Sequence, residues 1–385
     1  MFHVITASIC FYVIWRFVYP LPWNTASKVL FTLLLLLVAE HHLVTRTFFG
    51  SMASPEVPSA VLIVLGWAFG TIILLAMLLL VRDLMGLLSY PFFGKPGLAL
   101  LSAPGLLYGI GASAVVLAGV GVWEAVRIPS VKTIEIFLPR LPRELDGFRV
   151  VQLSDLHASR LLHASWMKGV VERTNALNPD LTVITGDLTD GTPAARVPDV
   201  QPLKNLTARY GVLAIPGNHE YYADYVGWLP AFDQLGLRML LNEHVTITHG
   251  GRNLVVAGIT DHTAAVFKQT PPNLTAALDG TSQADPVMLL SHRPIGAAAN
   301  AAAGVDLQLS GHTHGGQILG AHVLAQWANE GFVSGQYQVD GMRLYVSNGS
   351  GLWNGFPIRL GRRSEITQIT LRATEDTGTG SKRTQ

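Results

Sequence analysis

Two patterns of apolar and polar positions divide the chain near residue 125. The first consists of long apolar runs with few charges, since residues 1–125 contain only nine Asp, Glu, Lys or Arg residues. A helix needs about 20 apolar residues to cross the hydrocarbon core of a bilayer. The pattern predicts an all-α transmembrane region, residues 1–125, of about four helices, with three as the alternative. The predicted spans are residues 2–19, 29–44, 60–81 and 98–123.

Two of these spans are the clearest. Ala60–Val81 contains no charged residue, and Leu98–Trp123 is rich in small residues. Within the latter, Gly105-x-x-x-Gly109 suits close helix packing. A buried helical domain is the alternative, but its helices would normally show a polar face. Residues 2–19 lack a basic start and a cleavage site of small residues, so we expect an anchor that is retained.

Basic residues in the short loops bear on the orientation of the chain. With four spans, both ends of the transmembrane region face the same side of the membrane. The loops on the opposite side carry Arg16, Lys28, Arg82 and Lys95, whereas the short loop on the side of the termini carries Arg46. Because basic loops tend to stay in the cytoplasm, this distribution favours an extracytoplasmic C-terminal domain.

From residue 148 onward, short apolar runs end in polar loops. Runs of this kind predict β-strands. A domain is predicted over residues 148–373, after a linker with a short edge strand at 126–147 and before a disordered polar tail at 374–385. A helix is predicted for residues 165–177. The predicted strands are residues 148–153, 181–185, 212–215, 254–259, 287–290, 305–309, 344–346 and 366–371.

Composition excludes some classes of function. A formal net charge of +1 gives no electrostatic case for binding nucleic acid. The single cysteine, Cys10, cannot form an internal disulfide, so cysteine usage does not indicate a redox compartment. Candidate chemistry therefore rests on histidine, carboxylate and amide side chains.

Residues of these types follow one predicted strand after another. In layered α/β folds the carboxyl ends of the strands gather along one crevice, where ligands bind. Two carboxylates, one amide and four imidazoles suit two divalent ions about 3.5–4 Å apart. Nitrogen and oxygen ligands without thiolate favour manganese, iron or zinc over calcium or magnesium. The candidate metal ligands are Asp155, His157, Asp187, Asn218, His292, His312 and His314.

Five motifs around these residues resemble those of the calcineurin-like metallophosphoesterase superfamily. The resemblance covers roughly residues 130–372, and its longer strings are similar to a membrane-anchored bacterial branch that includes animal transmembrane metallophosphoesterases. It implies a four-layer α/β/β/α sandwich of two mixed sheets. The motifs are Asp155-x-His157, Gly186-Asp187-x-x-Asp190, Gly217-Asn218-His219-Glu220, the lone His292 and Gly311-His312-Thr313-His314.

The resemblance also implies a role for each motif residue. His219 would lie beside the scissile phosphoester and assist the leaving group, and Glu220 would lie behind the ligands. Asp190 is expected to shape its loop. Arg293 could bind phosphate or form a structural salt bridge, and the loop 348–355 could shape the pocket or only connect strands. One ion would be held by Asp155, His157 and His314, the other by Asn218, His292 and His312, with Asp187 bridging both.

The function implied is that of a membrane-bound, dimetal-dependent phosphoester hydrolase, in which a hydroxide held between the ions attacks phosphorus. The anchor favours a phosphodiester or pyrophosphate of a lipid or lipid precursor as substrate and the lipid bilayer as partner. The expected location is the bacterial inner membrane, as a multi-pass protein. A nucleotide-directed phosphodiesterase and a non-catalytic metal-binding membrane scaffold are the alternatives.

Overall fold

The computed structural model describes residues 2–50 and 54–374 of the chain. The predicted tail begins at residue 374, and its residues 375–385 lie outside the described part. An N-terminal group of apolar helices precedes a domain with two β-sheets, as the pattern of apolar runs predicts.

Apolar helices form the first third of the chain. A π-helical turn, Ile14–Val18, extends the first of them. Two segments are long and apolar enough to cross a membrane, Ser59–Lys95 and Pro104–Val126, and a third qualifies if two helices joined at a 51° bend count as one span. The number four therefore stays a prediction. The helices are α1 (Phe2–Val13), α2 (Thr25–Ala39), α3 (His41–Phe48), α4 (Ser59–Leu101) and α5 (Pro104–Val126).

Two details of this region differ from the sequence-based expectation. The last span begins at Pro104 rather than residue 98, because proline lacks an N–H group and fits the first turn of a helix. The expected close packing at Gly105 and Gly109 is wrong, since no atom of the described residues lies within 4 Å of a Cβ built on either. Close contacts occur instead at Gly111, against Phe17.

Twelve strands form two mixed six-stranded sheets in the order β1-β12-β2-β3-β4-β5 and β10-β11-β9-β8-β7-β6. Every predicted strand has a counterpart, and β5, β6 and β10 were not predicted. The strands are β1 (Ser130–Leu138), β2 (Arg149–Leu153), β3 (Leu181–Thr185), β4 (Val212–Ile215), β5 (Arg238–Met239), β6 (Glu243–His249), β7 (Arg252–Gly258), β8 (Val287–Leu290), β9 (Leu307–Ser310), β10 (Gly335–Val339), β11 (Met342–Val346) and β12 (Glu365–Ala373).

Helices cover the outer face of each sheet, which confirms the α/β/β/α sandwich. One buried cluster joins the first sheet to α6 and α9, and another joins the second sheet to α10 and α11. Between the sheets, residues such as Val183 and Leu290 form a shared core. The helices of the domain are α6 (Ala164–Asn175), α7 (Pro193–Val200), α8 (Asn218–Ala223), α9 (Tyr225–Gln234), α10 (Leu274–Ala277), α11 (Ala297–Ala302) and α12 (His322–Ala328).

The parallel arrangement of the central strands determines where the site forms. β2, β3 and β4 are parallel neighbours in one sheet, and β7, β8 and β9 are parallel neighbours in the other. The buried Gln152 joins the two sheets, because its Nε2 donates to Thr185 Oγ1 at 2.9 Å and to Ser310 O at 3.0 Å. The loops that leave these strands at their carboxyl ends therefore meet along one line.

Candidate metal centre

The seven predicted ligands all lie in this crevice, and their roles as ligands stay predictions. Glycine is required beside two of them, because a Cβ on Gly186 would clash with His292 and one on Gly217 would clash with Asp187. The ligands follow their strands in this way: Asp155 and His157 after β2, Asp187 after β3, Asn218 after β4, His292 after β8, and His312 and His314 after β9.

Asp155, His157 and His314 form one group, in which a ligand atom of each lies within 4.8 Å of the others. The Nε2 atoms of His157 and His314 are 3.2 Å apart, and His314 Nε2 lies 3.4 Å from Asp155 Oδ1. An ion with ligand bonds of ~2.1 Å holds neighbouring ligand atoms about 3.0–3.4 Å apart. These separations fit one divalent ion.

Asp187, His292 and His312 form a second group with the same spacing limit of 4.8 Å. His292 Nε2 lies 3.2 Å from Asp187 Oδ2 and 3.1 Å from Asn218 Oδ1. Asp187 Oδ2 is also 3.7 Å from His157 Nε2, which belongs to the first group. The Asp187 carboxylate therefore lies between the two groups, where a bridging ligand would be needed.

The orientation of the histidine rings is a further test of whether these residues fit a metal. Nδ1 of His292 lies 2.8 Å from Thr185 O, and Nδ1 of His157 lies 3.0 Å from Asp190 Oδ1. Carbonyl and carboxylate oxygens only accept, so both Nδ1 atoms carry hydrogen and both Nε2 atoms face the crevice. Facing nitrogens 3.2 Å apart, as in His157 and His314, need a proton or a cation between them.

Electrostatics lead to the same conclusion. Burial raises the pKa of Asp155, in spite of the nearby His292, because water no longer stabilises its charge. Burial lowers the pKa of His292, but the Asp187 carboxylate outweighs this effect and raises the pKa to about 10. In the metal-free protein His292 therefore retains a proton where an ion would bind, and the residues present fit a pair of divalent cations.

His219 lies at the edge of the two groups and is partly open to solvent. Its side chain is 15% exposed, and its Nε2 is 4.0 Å from Asp187 Oδ2. Burial lowers the pKa of His219, but Asp187 and Asp190 outweigh this and raise it to about 9. His157, Asp187 and His219 also have metal-ligand spacing. The exposure of His219 and its bond to Asp190 favour a proton donor over a ligand.

Asp190 has a contact that the sequence did not reveal. Its Oδ1 accepts a hydrogen bond from Nδ1 of His219 at 2.6 Å and another from Nδ1 of His157 at 3.0 Å. Burial raises the pKa of Asp190, but the two histidines outweigh this effect and lower it to about 2. One carboxylate thus orients a predicted metal ligand and the predicted proton donor together. The Gly-Asp-x-x-Asp spacing was the only signal for it.

Glu220 lies behind the ligands, as expected, and holds two loops together. Its carboxylate accepts from the backbone N–H groups of Gly217, Asp187, Leu188 and Thr189 at 2.7–3.2 Å. Burial and then the Asp187 charge raise the pKa of Glu220 to about 7, against the lowering effect of these hydrogen bonds. Glu220 therefore fixes the loop of Asp187 against the loop of Asn218 and His219.

The two open alternatives are also visible. The Arg293 guanidinium lies 2.9 Å from Asp261 Oδ2, so it forms a salt bridge and does not join the ligand groups. The loop 348–355 does reach the site, because Trp353 lines the same opening as His219 and His314. The buried Arg359 supports this loop and was not predicted: it donates to the carbonyl oxygens of Asn348, Gly351 and His314.

The fold and the site define a class: an α/β/β/α phosphoesterase domain with residues arranged for two metals. Residues 148–316 match the family model described as Calcineurin-like phosphoesterase. "Transmembrane protein with metallophosphoesterase domain" from Bos taurus is 38% identical over 270 residues, which cover 67% of this chain and 60% of that protein. "Uncharacterized metallophosphoesterase YkuE" from Bacillus subtilis (strain 168) is 31% identical over 244 residues, 61% of this chain and 82% of that protein.

The chain belongs to the calcineurin-like phosphoesterase family, a family of phosphoester hydrolases. A solved 5'-nucleotidase precursor from Thermus thermophilus has a TM-score of 0.35 and 16% identity, covering 53% of this chain and 49% of that one, and carries no argument here. The chain spans 60% of the length of the relatives from Bos taurus and Danio rerio. The activity, substrates and partners of the whole protein are therefore proposals.

Proposed function

We propose that this chain is a membrane-bound, dimetal-dependent phosphoester hydrolase. The observation that carries the proposal is the convergence of two ligand groups on Asp187, with the His219 ring beside them. A scaffold that only bound metal would have no need of a partly exposed imidazole hydrogen-bonded to a buried carboxylate at the edge of the site. A hydrolase needs such a group to protonate the departing oxygen.

Two divalent ions would supply neutralisation of the anionic phosphate and a water of lowered pKa. The protein's part is to hold seven donors at fixed positions in a crevice with few exposed atoms. The residues proposed for one ion are Asp155, His157 and His314, and those for the other are Asn218, His292 and His312, with Asp187 shared.

His219 supplies the proton in this proposal. Its Nδ1–H donates to Asp190, which fixes the ring plane and leaves Nε2 directed to the opening. With its pKa raised to about 9, the ring is protonated at neutral pH. It therefore delivers a proton from Nε2 to the leaving oxygen as the bond to phosphorus breaks. Asp190 retains its negative charge throughout and stabilises the ring while it is cationic.

The substrate and location form the finer part of the proposal. The apolar helices support a membrane protein of the bacterial inner membrane, with four spans and the catalytic domain outside the cytoplasm. Their presence beside the site supports a phosphodiester or pyrophosphate of a lipid or lipid precursor. Protease treatment of spheroplasts tests the orientation, and full protection of the C-terminal domain would reverse it.

Hydrolysis of a chromogenic phosphodiester by the full chain, in detergent with manganese, tests the reaction. Activity should vanish with chelator and in His219→Ala, while His219→Ala keeps its metal because the ring is not proposed as a ligand. Metal-loaded, folded protein that is inactive on phosphodiesters, cyclic nucleotides, nucleotide sugars and lipids alike would overturn the proposal. Activity confined to nucleotides would replace the lipid substrate with a nucleotide.

A further inference from the structure

An apolar segment, residues 318–328, follows directly after the loop of His312 and His314. It includes α12 and lies outside the range 148–316 that matches the family model. The cavity at the site has a volume of about 310 Å³, and Ala325 of this segment lines it together with His219, His314 and Trp353. The segment therefore forms part of the rim of the candidate metal centre.

The inner side of the 318–328 segment packs on the apolar helices. Ile318 is buried in the same cluster as Ile72 and Leu75 of α4, and Ala321 packs against that cluster. A Cβ built on Gly320 would lie 3.5 Å from Met77 Cε. The catalytic domain thus contacts the N-terminal helices through a segment at the mouth of its own site.

The outer side of the same segment is apolar and exposed. Four large side chains in nine residues are exposed, with fractions of 57–85%: Leu319, Val323, Leu324 and Trp327. Contiguous apolar surface of this kind is uncommon on water-exposed protein and marks a binding surface. Because the inner side of the segment already adjoins the predicted membrane spans, this apolar surface is continuous with theirs.

The position of Met77 gives the depth of the segment. Residues 60–81 of α4 carry no charge, and Arg82 and Asp83 end this stretch. A hydrocarbon core of about 30 Å is crossed by about 20 residues, which is close to the length of the stretch. Met77 lies four residues before its end, or about 6 Å at 1.5 Å per residue. A segment that touches Met77 is therefore at the depth of the hydrocarbon.

A second loop of the domain contacts the same uncharged stretch. Pro357 packs against Gly66 and Ile358 packs against Gly70, where glycine leaves room for them. This loop continues from Trp353 on the rim of the site and is joined to His314 through Arg359. Two rim elements, not one, are therefore held beside the spanning part of α4.

We propose that the 318–328 segment inserts into the lipid bilayer and binds hydrocarbon, so that the candidate metal centre opens at the level of the lipid head groups. Resting on the proposed function, this assigns the substrate class as a phosphoester attached to a membrane-embedded hydrocarbon chain. A lipid phosphodiester and a polyprenyl pyrophosphate share this chemistry. The phosphate would meet the metal ligands while its chain stays beside Leu324 and Trp327.

Insertion is tested with fluorophores on single cysteines in the full chain, reconstituted in phosphatidylcholine vesicles with or without brominated acyl chains. The only native cysteine, Cys10, is buried and is replaced by Ala for this purpose. Labels at Leu324→Cys and Trp327→Cys should be quenched by the bromines. A label at Lys168→Cys, whose side chain on α6 is 72% exposed, is the control and should not be quenched. Equal quenching at all three sites, or none at 324 and 327, would overturn the insertion.

The substrate class is tested with Leu324→Ser/Trp327→Ser. Hydrolysis of phosphatidylglycerol or a polyprenyl pyrophosphate in vesicles should fall at least tenfold, while hydrolysis of a soluble chromogenic diester changes less than twofold. Phe137→Ser, which removes a half-exposed apolar side chain from edge strand β1, is the matched control and should affect neither.

The outcomes separate this proposal from the proposed function. If the unmodified chain hydrolyses the soluble diester but neither lipid, or if the double variant hydrolyses the lipid as fast as the unmodified chain, the substrate class is wrong and the phosphoesterase remains. If the unmodified chain hydrolyses nothing, the proposed function fails, and the quenching experiment still decides insertion.

Discussion

Replacing Asp190 with Asn is the sharpest test of the site. The carboxylate Oδ1 accepts from two histidine rings at 2.6 and 3.0 Å, and none of the described residues donates to Oδ2. An amide of the same shape can keep its oxygen at the Oδ1 position. Asp190→Asn therefore removes the negative charge while the size of the buried side chain stays the same, so a loss of activity reports on charge more than on packing.

The size of the effect follows from two contributions. Raising the pKa of His219 from 6.5 to about 9 corresponds to roughly 3.4 kcal/mol at 1.36 kcal/mol per unit. Asp187, Asp190 and Glu220 share this, so the part of Asp190 is about 1 kcal/mol, or between five- and tenfold in the protonated fraction at high pH. Losing an orienting partner of a ligand such as His157 typically costs 10- to 100-fold. We expect kcat to fall roughly 100-fold.

The assay compares two phosphodiesters, one with a nitrophenol leaving group and one with an alkyl alcohol. A nitrophenolate leaves without a proton, whereas an alkoxide needs one, so Asp190→Asn should slow the alkyl ester more. Asp306→Asn, which changes another buried carboxylate, beside Arg140 at the opposite end of β9, is the control. A loss of less than threefold, or the same loss for both esters with full metal content, would refute the role given to Asp190.

The remaining predictions concern the metal and the proton. His219→Ala should retain two metals per chain by elemental analysis but lose about 100- to 10,000-fold in turnover; normal turnover would remove it from the reaction. Asp187→Asn should lose metal and activity together, because this carboxylate lies between both groups. Chelation should lower the free energy of unfolding by about 4 kcal/mol relative to protein with metal at 1,000 times its Kd, seen as a lower Tm. Metal binding should release protons and tighten as pH rises toward 10, since His292 is protonated below its pKa of about 10; calorimetry in two buffers detects this.

The strands that were not predicted show what the apolar pattern can and cannot reveal. β5, β6 and β10 are three of the four outermost strands of the two sheets. An outer strand buries little of its surface, and β10 has no fully buried residue. Its sequence therefore lacks the continuous apolar run that identifies a central strand such as β3, in which every residue is buried. The fourth outer strand, β1, was found because its apolar residues alternate.

The site could be predicted further than its supporting residues. Each candidate ligand follows its own strand within a few positions, so the order of strands in the sheets is enough to bring the ligands together. Asp190 and Arg359 act across long separations, from Asp190 to His157 over 33 residues and from Arg359 to His314 over 45. No local spacing specifies such contacts, because they depend on how two loops cross above the sheets.

The backbone at the site links these observations. Five of the seven predicted ligands have positive φ angles of 46–68°: Asp155, His157, Asp187, His312 and His314. A residue other than glycine in this conformation costs about 1–3 kcal/mol, so the five together cost an amount comparable to the whole stability of a domain. Such strain persists only where neighbouring structure imposes it.

Hydrogen bonds between the loops impose that conformation before any ion binds. Beyond the ends of β2 and β3, Asp155 N donates to Gly186 O and His157 N donates to Asp187 O, both at 3.0 Å. Gly351 N then donates to Asp155 O at 3.0 Å, which adds the loop beside Trp353 to the same ladder. The sheet thus continues, in strained form, through the ligands themselves. Metal removal should therefore lower stability while the ligand loops keep their arrangement, and a crystal structure of the chelated protein with those loops unfolded would contradict this reasoning.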